Sequence, residues 1–202
     1  MKGYPVYASS SDYLQAVSHL LPSLAAASDA LVDTLKAAFD QERIVFLAGN
    51  GGSAAAASHF AQDLAKGTLA DIYYPRRFRI MPLTDNISYI TALANDEGYG
   101  TIFEHQMRAF AARGDVLVAI SGSGNSPNIL RAAHFARQTG MTVIGVTGFD
   151  GGKLKSISDV SVHVPVDDMG MTEAIHGVLF HLAMARLREA VSEVNAGAEC
   201  VP

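Results

Sequence analysis

Two apolar runs that each end in a turn of small residues constrain this chain more than anything else in it. Residues 44–48 (IVFLA) lead into Gly49-Asn50-Gly51-Gly52-Ser53, and residues 116–120 (VLVAI) lead into Ser121-Gly122-Ser123-Gly124-Asn125-Ser126. Runs of four to eight apolar residues closed by turn residues read as strands covered on both faces. Such strands belong to parallel sheets with helices on either side. The rest of the pattern agrees. Residues 77–83, 142–147 and 160–166 read as further strands. Helical stretches run from the first turn to about residue 66, then over 86–94 and 102–112, from the second turn to about 138, and over 171–194. Ahead of the first strand, Leu14, Val17, Leu20, Leu21, Leu24, Leu31, Leu35 and Phe39 recur near a 3.6-residue period, with Pro22 starting a new segment or kinking the first. The expected fold class is α/β: a three-layer αβα sandwich around a central, mostly parallel sheet. With no repeat or long linker, the 202 residues form one domain, with a helical segment at 1–40 and an α/β core at 41–195. The two N-terminal helices can pack on a partner chain as readily as on their own sheet.

Both turns sit where a strand gives way to a helix, which is where open α/β sheets bind ligands. Small residues such as Gly51, Gly52 and Gly122 let a ligand approach the backbone, and the free N–H groups of a helix start favour an anion. Ser121, Ser123 and Ser126 add adjustable donors within six residues, with Asn125 among them. This is a cup for a phosphate group. The sequence lacks a G-x-x-x-x-G-K-[ST] motif, and GNGGSA lacks the G-x-G-x-x-G spacing, so neither a P-loop nor a nicotinamide site is expected. No nucleotide cofactor follows from the pattern.

Composition narrows the partners. Fifteen basic and 20 acidic residues give a net charge of −5, and Arg76-Arg77 is the only clustering of basic residues. A nucleic-acid footprint is absent. No run reaches the roughly 20 apolar residues of a membrane span, and the N-terminus has no signal-peptide core, so a cytoplasmic protein without a membrane partner is expected. One cysteine, Cys200, excludes an internal disulfide and reads as an incidental tail thiol. Charged residues are only 17% of the chain, which points to surface buried between subunits.

The motifs together resemble a known family. Residues 48–53 (AGNGGS), 58–61 (SHFA), 120–126 (ISGSGNS), 140–153 and 173–181 (EAIHGVLFH) are similar, in this order, to the phosphoheptose isomerases of the sugar-phosphate isomerase (SIS) family. The resemblance spans about residues 11–190. It implies the SIS fold and an enzyme that converts sedoheptulose 7-phosphate to a heptose 7-phosphate. It also implies a homotetramer with active sites shared between subunits, and in some members a zinc ion. Carried over, phosphate contact falls on Ser53, Ser121, Ser123 and Ser126, while Asn50 and Asp96 line the sugar. The acid/base and metal positions fall on His59, Asp63, Glu173 and His181. Four positions depart from the family pattern: Asp63 replaces a glutamate, Glu173 a glutamine, Gly67 an arginine and Gly170 an aspartate. Two alternatives stay open: an SIS isomerase for a different sugar phosphate, or a non-catalytic sugar-phosphate-binding regulator similar to the SIS relative that associates with the replication initiator.

Aldose–ketose interconversion moves a proton between adjacent carbons through an enediol. It needs a base on the carbon, an acid for the oxygens and something to hold the developing charge. His59 and Asp63, at i and i+4, share a helix face. Glu173 and His181 are eight residues apart, a rise of ~12 Å with an angular offset of about 80°, so one regular helix cannot bring both to one ion. If both serve one site, they come from different subunits. A same-chain alternative is Glu173 with His176, at the i, i+3 spacing of metal sites in helix bundles. His176 is otherwise a supporting partner or a packed histidine. The expected metal set is His59, Asp63, Glu173 and His181 around a divalent ion, with zinc favoured by the ligand types. Asp63 and His181 are the candidate catalytic pair. His19, His105, His134 and His163 read as structural or solvent-facing.

Overall fold

The computed structural model describes residues 7–197, so Cys200 lies outside the described residues. The N-terminal segment forms α1 (Ser10–Leu20) and α2 (Ala25–Asp40), separated by a 3-10 turn over Leu21–Leu24 that contains Pro22. Proline cannot supply an N–H to the preceding turn, which accounts for the break. Next come β1 (Ile44–Ala48), α3 (Gly52–Gln62), β2 (Arg79–Pro82), α4 (Ile87–Asp96) and α5 (Glu104–Arg108). The second half holds β3 (Val116–Ser121), α6 (Pro127–Thr139), β4 (Thr142–Thr147), α7 (Gly152–Ile157), β5 (Val160–His163) and α8 (Met169–Val194).

The five strands form one parallel sheet in the order β2-β1-β3-β4-β5. β3 is buried at every residue, as expected of a strand with a helical layer on each face. One face of the sheet packs against α2, α3 and α8 through residues such as Leu35, Phe60, Ile175 and Phe180. The other packs against α5, α6 and α7 through Met107, Ile129, Ala133 and Leu154. These are the three layers of the expected sandwich. The chain leaves β1 in one direction to build β2 and in the other to build β3, so the order reverses between β1 and β3. Both Gly/Ser turns emerge at that switch point, where the diverging connections leave a crevice.

Several elements differ from the expectation. The helix expected over 102–112 stops at Arg108, because the buried Asp115 carboxylate takes the Ala112 and Ile44 N–H groups at 2.8 and 2.9 Å and holds the chain as a turn. The helix after the first turn ends in a π turn over Asp63–Gly67. β5 ends at His163 rather than at residue 166. α7 was not expected at all. The Arg76-Arg77 pair is spent locally: Arg76 donates to the Phe39 carbonyl at 3.2 Å and to that of Asp40, and Arg77 to the Tyr74 carbonyl at 2.9 Å and to that of Ile72. Among the described residues no helix is long and apolar enough to cross a membrane.

Candidate active site

β1 delivers the chain to Gly49-Asn50-Gly51, and α3 begins at Gly52. Gly49 has no room for a side chain, since a Cβ there would overlap the Ser53 carbonyl. Gly51 has φ +55°, a region glycine enters freely. The Glu173 carboxylate, from the first turns of α8, lies directly over Gly52, where a Cβ would overlap it. A carboxylate at the start of α3 is favoured by the helix dipole. Glu173 thus stands at the side-chain position of Gly52, beside the start of α3.

The loop after β3 is built differently. The first turn of α6 carries no acidic residue, Pro127 has no N–H to satisfy, and the Ser126 side chain is not used as a cap. Ser121, 4% exposed, holds its Oγ 3.2 Å from Ser126 Oγ. Two hydroxyls joined by one hydrogen bond keep a second proton for a ligand. The loop is stitched to the start of α7: Leu154 N–H donates to the Gly124 carbonyl at 2.9 Å and Lys153 N–H to Asn125 Oδ1 at 3.2 Å. Asn125 Nδ2 donates to the Ser123 carbonyl at 2.9 Å, so this carboxamide holds the loop's own shape. A cleft of about 560 Å³ opens beside the loop, with Ser123, Asn125, Phe149 and Met169 among its walls. Asp96 ends α4, is exposed, and accepts from Asn95 Nδ2 at 2.8 Å.

α3 and α8 lie side by side and run the same way, since Gly52 faces Glu173 and, further along, Phe60 stacks on Phe180 at 4.3 Å between ring centroids. This brings His59, Asp63 and His181 together: one nitrogen or oxygen from each lies within 4.8 Å of the others. His59 Nε2 is 3.7 Å from Asp63 Oδ1, and His181 Nε2 is 3.6 Å from Asp63 Oδ2. Asp63 is 7% exposed and its Oδ2 has no hydrogen-bond partner, whereas the two imidazoles remain open to solvent. A buried carboxylate oxygen left unpaired between two imidazoles fits a divalent cation, and the N,O,N donor set is one that zinc accepts. Glu173 is not in this cluster. The separation expected of residues eight apart on one helix is therefore realised within the chain.

His176 does not join Glu173. It is 2% exposed, and its Nε2–H donates to the Thr147 carbonyl at 3.2 Å. Burial pushes its pKa down to about 4. His163, on β5, bonds through Nδ1 to Thr147 Oγ1 at 3.1 Å, and burial lowers its pKa as well. Two residues that sequence reasoning passed over also belong to the site. Asn128 and Tyr99 both hydrogen-bond the Asn50 carboxamide. Their only signal in the sequence was position, two residues past Ser126 and in the polar loop after Asp96.

Residues 7–148 match the SIS domain. The phosphoheptose isomerase of Aliarcobacter butzleri is 40% identical over 158 residues, 77% of this chain and 78% of its own length. That of Mycobacterium tuberculosis is 39% identical over 165 residues, 82% and 83% of the two chains. The chain belongs to the phosphoheptose isomerase family of SIS proteins. Solved structures agree: phosphoheptose isomerase from Neisseria gonorrhoeae superposes with a TM-score of 0.81 at 30% identity, covering 89% of this chain and 94% of that one. The Francisella tularensis enzyme gives 0.82 at 27% identity with the same coverage. Two departures from the family pattern now have surroundings. A Cβ at Gly67 would lie 3.2 Å from Met184 Cγ and 3.6 Å from Asp63 Oδ1, so a longer residue there would stand against the cluster of His59, Asp63 and His181. Gly170 lies beside Asp168, whose carboxylate caps α8 through the Met171 N–H at 3.2 Å and accepts from the Tyr7 hydroxyl at 2.5 Å.

Proposed function

We propose that this chain is a cytoplasmic aldose–ketose isomerase that converts sedoheptulose 7-phosphate to D-glycero-D-manno-heptose 7-phosphate. The observation that carries the reading is the meeting of His59, Asp63 and His181 on helices that start beside two phosphate-type turns. Ser121, Ser123 and Ser126 hold the phosphate at the start of α6, with Ser53 and the backbone of Gly51, Gly52 and Gly122 closing the cup. Asn50 and Asp96 line the sugar. Gly52 and His59 are seven positions apart along α3, a rise of about 10 Å, which is on the scale of an extended sugar phosphate. His181 takes the proton from one carbon and returns it to the next, and the Asp63 carboxylate 3.6 Å away stabilises the imidazolium formed between the two steps. A second proton passes from the C1 hydroxyl to the C2 carbonyl oxygen, so both hydrogens stay within the substrate and no redox partner is required.

His59, Asp63 and His181 would hold a divalent ion, zinc by ligand type, with Glu173 of a neighbouring copy as the fourth ligand; with its ring nitrogen on the ion His181 could not take the substrate proton, which would then fall to the free oxygen of a carboxylate, Asp63 or Glu173. When bound, such an ion polarises the carbonyl and steadies the enediolate. The assembly implied is a homotetramer with shared sites, each chain contributing one domain whose core spans residues 41–195.

His59→Ala and His181→Ala should each lower the metal content of purified protein and reduce turnover of sedoheptulose 7-phosphate by at least a hundredfold, roughly the contribution of one acid/base group. Full turnover in metal-stripped wild-type protein would remove the ion from the reading. Wild-type protein inert on this sugar would end the substrate assignment. Gly67, which leaves the carboxylate of Asp63 without the family's arginine, favours a second reading, a related sugar phosphate, and a screen of five- to seven-carbon sugar phosphates decides between them.

A further inference from the structure

Across the crevice between β1 and β3, the two turns are joined by a reciprocal pair of carboxamides. Asn128, 2% exposed in the first turn of α6, donates Nδ2–H to Asn50 Oδ1 at 2.8 Å and accepts from Asn50 Nδ2 at 2.9 Å. The orientation of both amides is fixed by a third group. The backbone N–H of Ile129 can only donate, and it bonds to Asn128 Oδ1 at 3.0 Å. The Asn128 oxygen therefore faces Ile129 N–H and Asn50 Nδ2, and its nitrogen faces Asn50 Oδ1. The Tyr99 hydroxyl lies 2.9 Å from that same Asn50 oxygen, so it must donate there. Tyr99 arrives on a 3-10 turn, Tyr99–Thr101, and is 56% exposed.

The count of protons follows. Asn50 Oδ1 accepts from both Asn128 and Tyr99, which fills its two lone-pair sites. Asn50 Nδ2 spends one N–H on Asn128 and keeps one. We infer that Asn128 and Tyr99 are positioning residues that turn Asn50 into a single-proton donor, so that it recognises an acceptor oxygen of the sugar phosphate and never accepts from a sugar hydroxyl. This role rests on the reading of Asn50 as a sugar-lining residue. It also gives the three segments around the crevice (the turn after β1, the stretch after α4 and the start of α6) a common fixed point.

The test is a mutant cycle read by calorimetry with sedoheptulose 7-phosphate, beside turnover and thermal melting. Asn128→Ala and Asn50→Ala should each weaken binding roughly tenfold, the scale of one hydrogen bond to a fixed donor. If Asn128 acts through Asn50, the Asn50→Ala/Asn128→Ala double variant binds no worse than Asn50→Ala alone. Tyr99→Phe, at an exposed position, keeps the fold and removes only the hydroxyl. It should weaken binding about threefold in the wild-type background and not at all in Asn50→Ala. Additive losses in either cycle overturn the positioning role, and Tyr99→Phe carries the test if Asn128→Ala unfolds. Asn50→Asp binding as tightly as wild type overturns the donor assignment. Because binding is measured directly, wild-type protein that binds without turnover leaves the cycle to be scored and removes only the isomerase reading. Wild-type protein that does not bind this sugar overturns both.

Discussion

His176 shows how one residue's chemistry is set by what buries it. Its Nε2–H is given to the Thr147 carbonyl, and protonation would place an uncompensated charge between α8 and the sheet. The folded pKa of about 4 lies below the ordinary histidine value of about 6.5. Between these two values the unfolded chain binds more protons than the folded one. Stability is therefore level above pH 6.5 and falls as the pH drops toward 4, by about 3 kcal/mol for this group. His163, its pKa lowered by burial and its ring joined to Thr147 Oγ1, adds to the loss in the same direction. Denaturant melts from pH 8 to 4.5 should show the decline, and His176→Leu should flatten it. An undiminished slope in that variant would assign the acid sensitivity to other groups. The sequence left His176 open between a ligand beside Glu173 and a packed side chain. Helical spacing says which residues share a face but not which face meets the sheet. The pair His59 and Asp63 was legible because both belong to one helix turn. The third member, His181, needed the family resemblance, since nothing local says that α8 runs beside α3.

At the scale of elements, the strands were the most legible part. β1 and β4 match their expected limits end to end, each closed by a glycine, Gly49 and Gly148. The misses are places where a distant group decides. Asp115 ends α5 early by capturing the Ala112 and Ile44 N–H groups, and α7 exists because Gly124 and Asn125 accept N–H groups from its first turn. Ile44 lies 71 residues from Asp115, and Asn125 lies 28 residues from Lys153. The candidate site depends on one such long-range contact, the Phe60–Phe180 stack that sets α3 against α8. Phe60→Ala should cost about 3–5 kcal/mol of unfolding free energy. The double variant with Phe180→Ala should cost less than the sum of the two singles, because they remove the same contact. Strict additivity in urea melts would mean that the two rings are held independently and that the stack does not register the helices.

The whole molecule presents more apolar surface than its sandwich uses. α1 and α4 contribute no buried residue, Leu14 and Ile87 are 65% and 72% exposed, and Val178 and Leu182 stand exposed on α8 around His181. Apolar surface next to the candidate catalytic His181 is expected where a second copy covers the site, and the low charge of the chain points the same way. Subunit mixing tests whether that copy also completes the chemistry. Within one chain Glu173 lies over Gly52 while His59, Asp63 and His181 cluster further along, so a fourth ligand from Glu173 must come from a neighbour. His59→Ala protein and Glu173→Ala protein should each be inactive alone. If sites are shared, random reassembly pairs an intact His59 chain with an intact Glu173 neighbour in about a quarter of sites, and that fraction of wild-type activity returns. A site built within one chain contains a defect in every copy and recovers nothing on mixing. The same mixture passed over a sizing column must contain hetero-oligomers for the comparison to hold, which separately tagged chains make visible. Hetero-oligomers without activity would confine Glu173 to its own chain, as a carboxylate held at the start of α3.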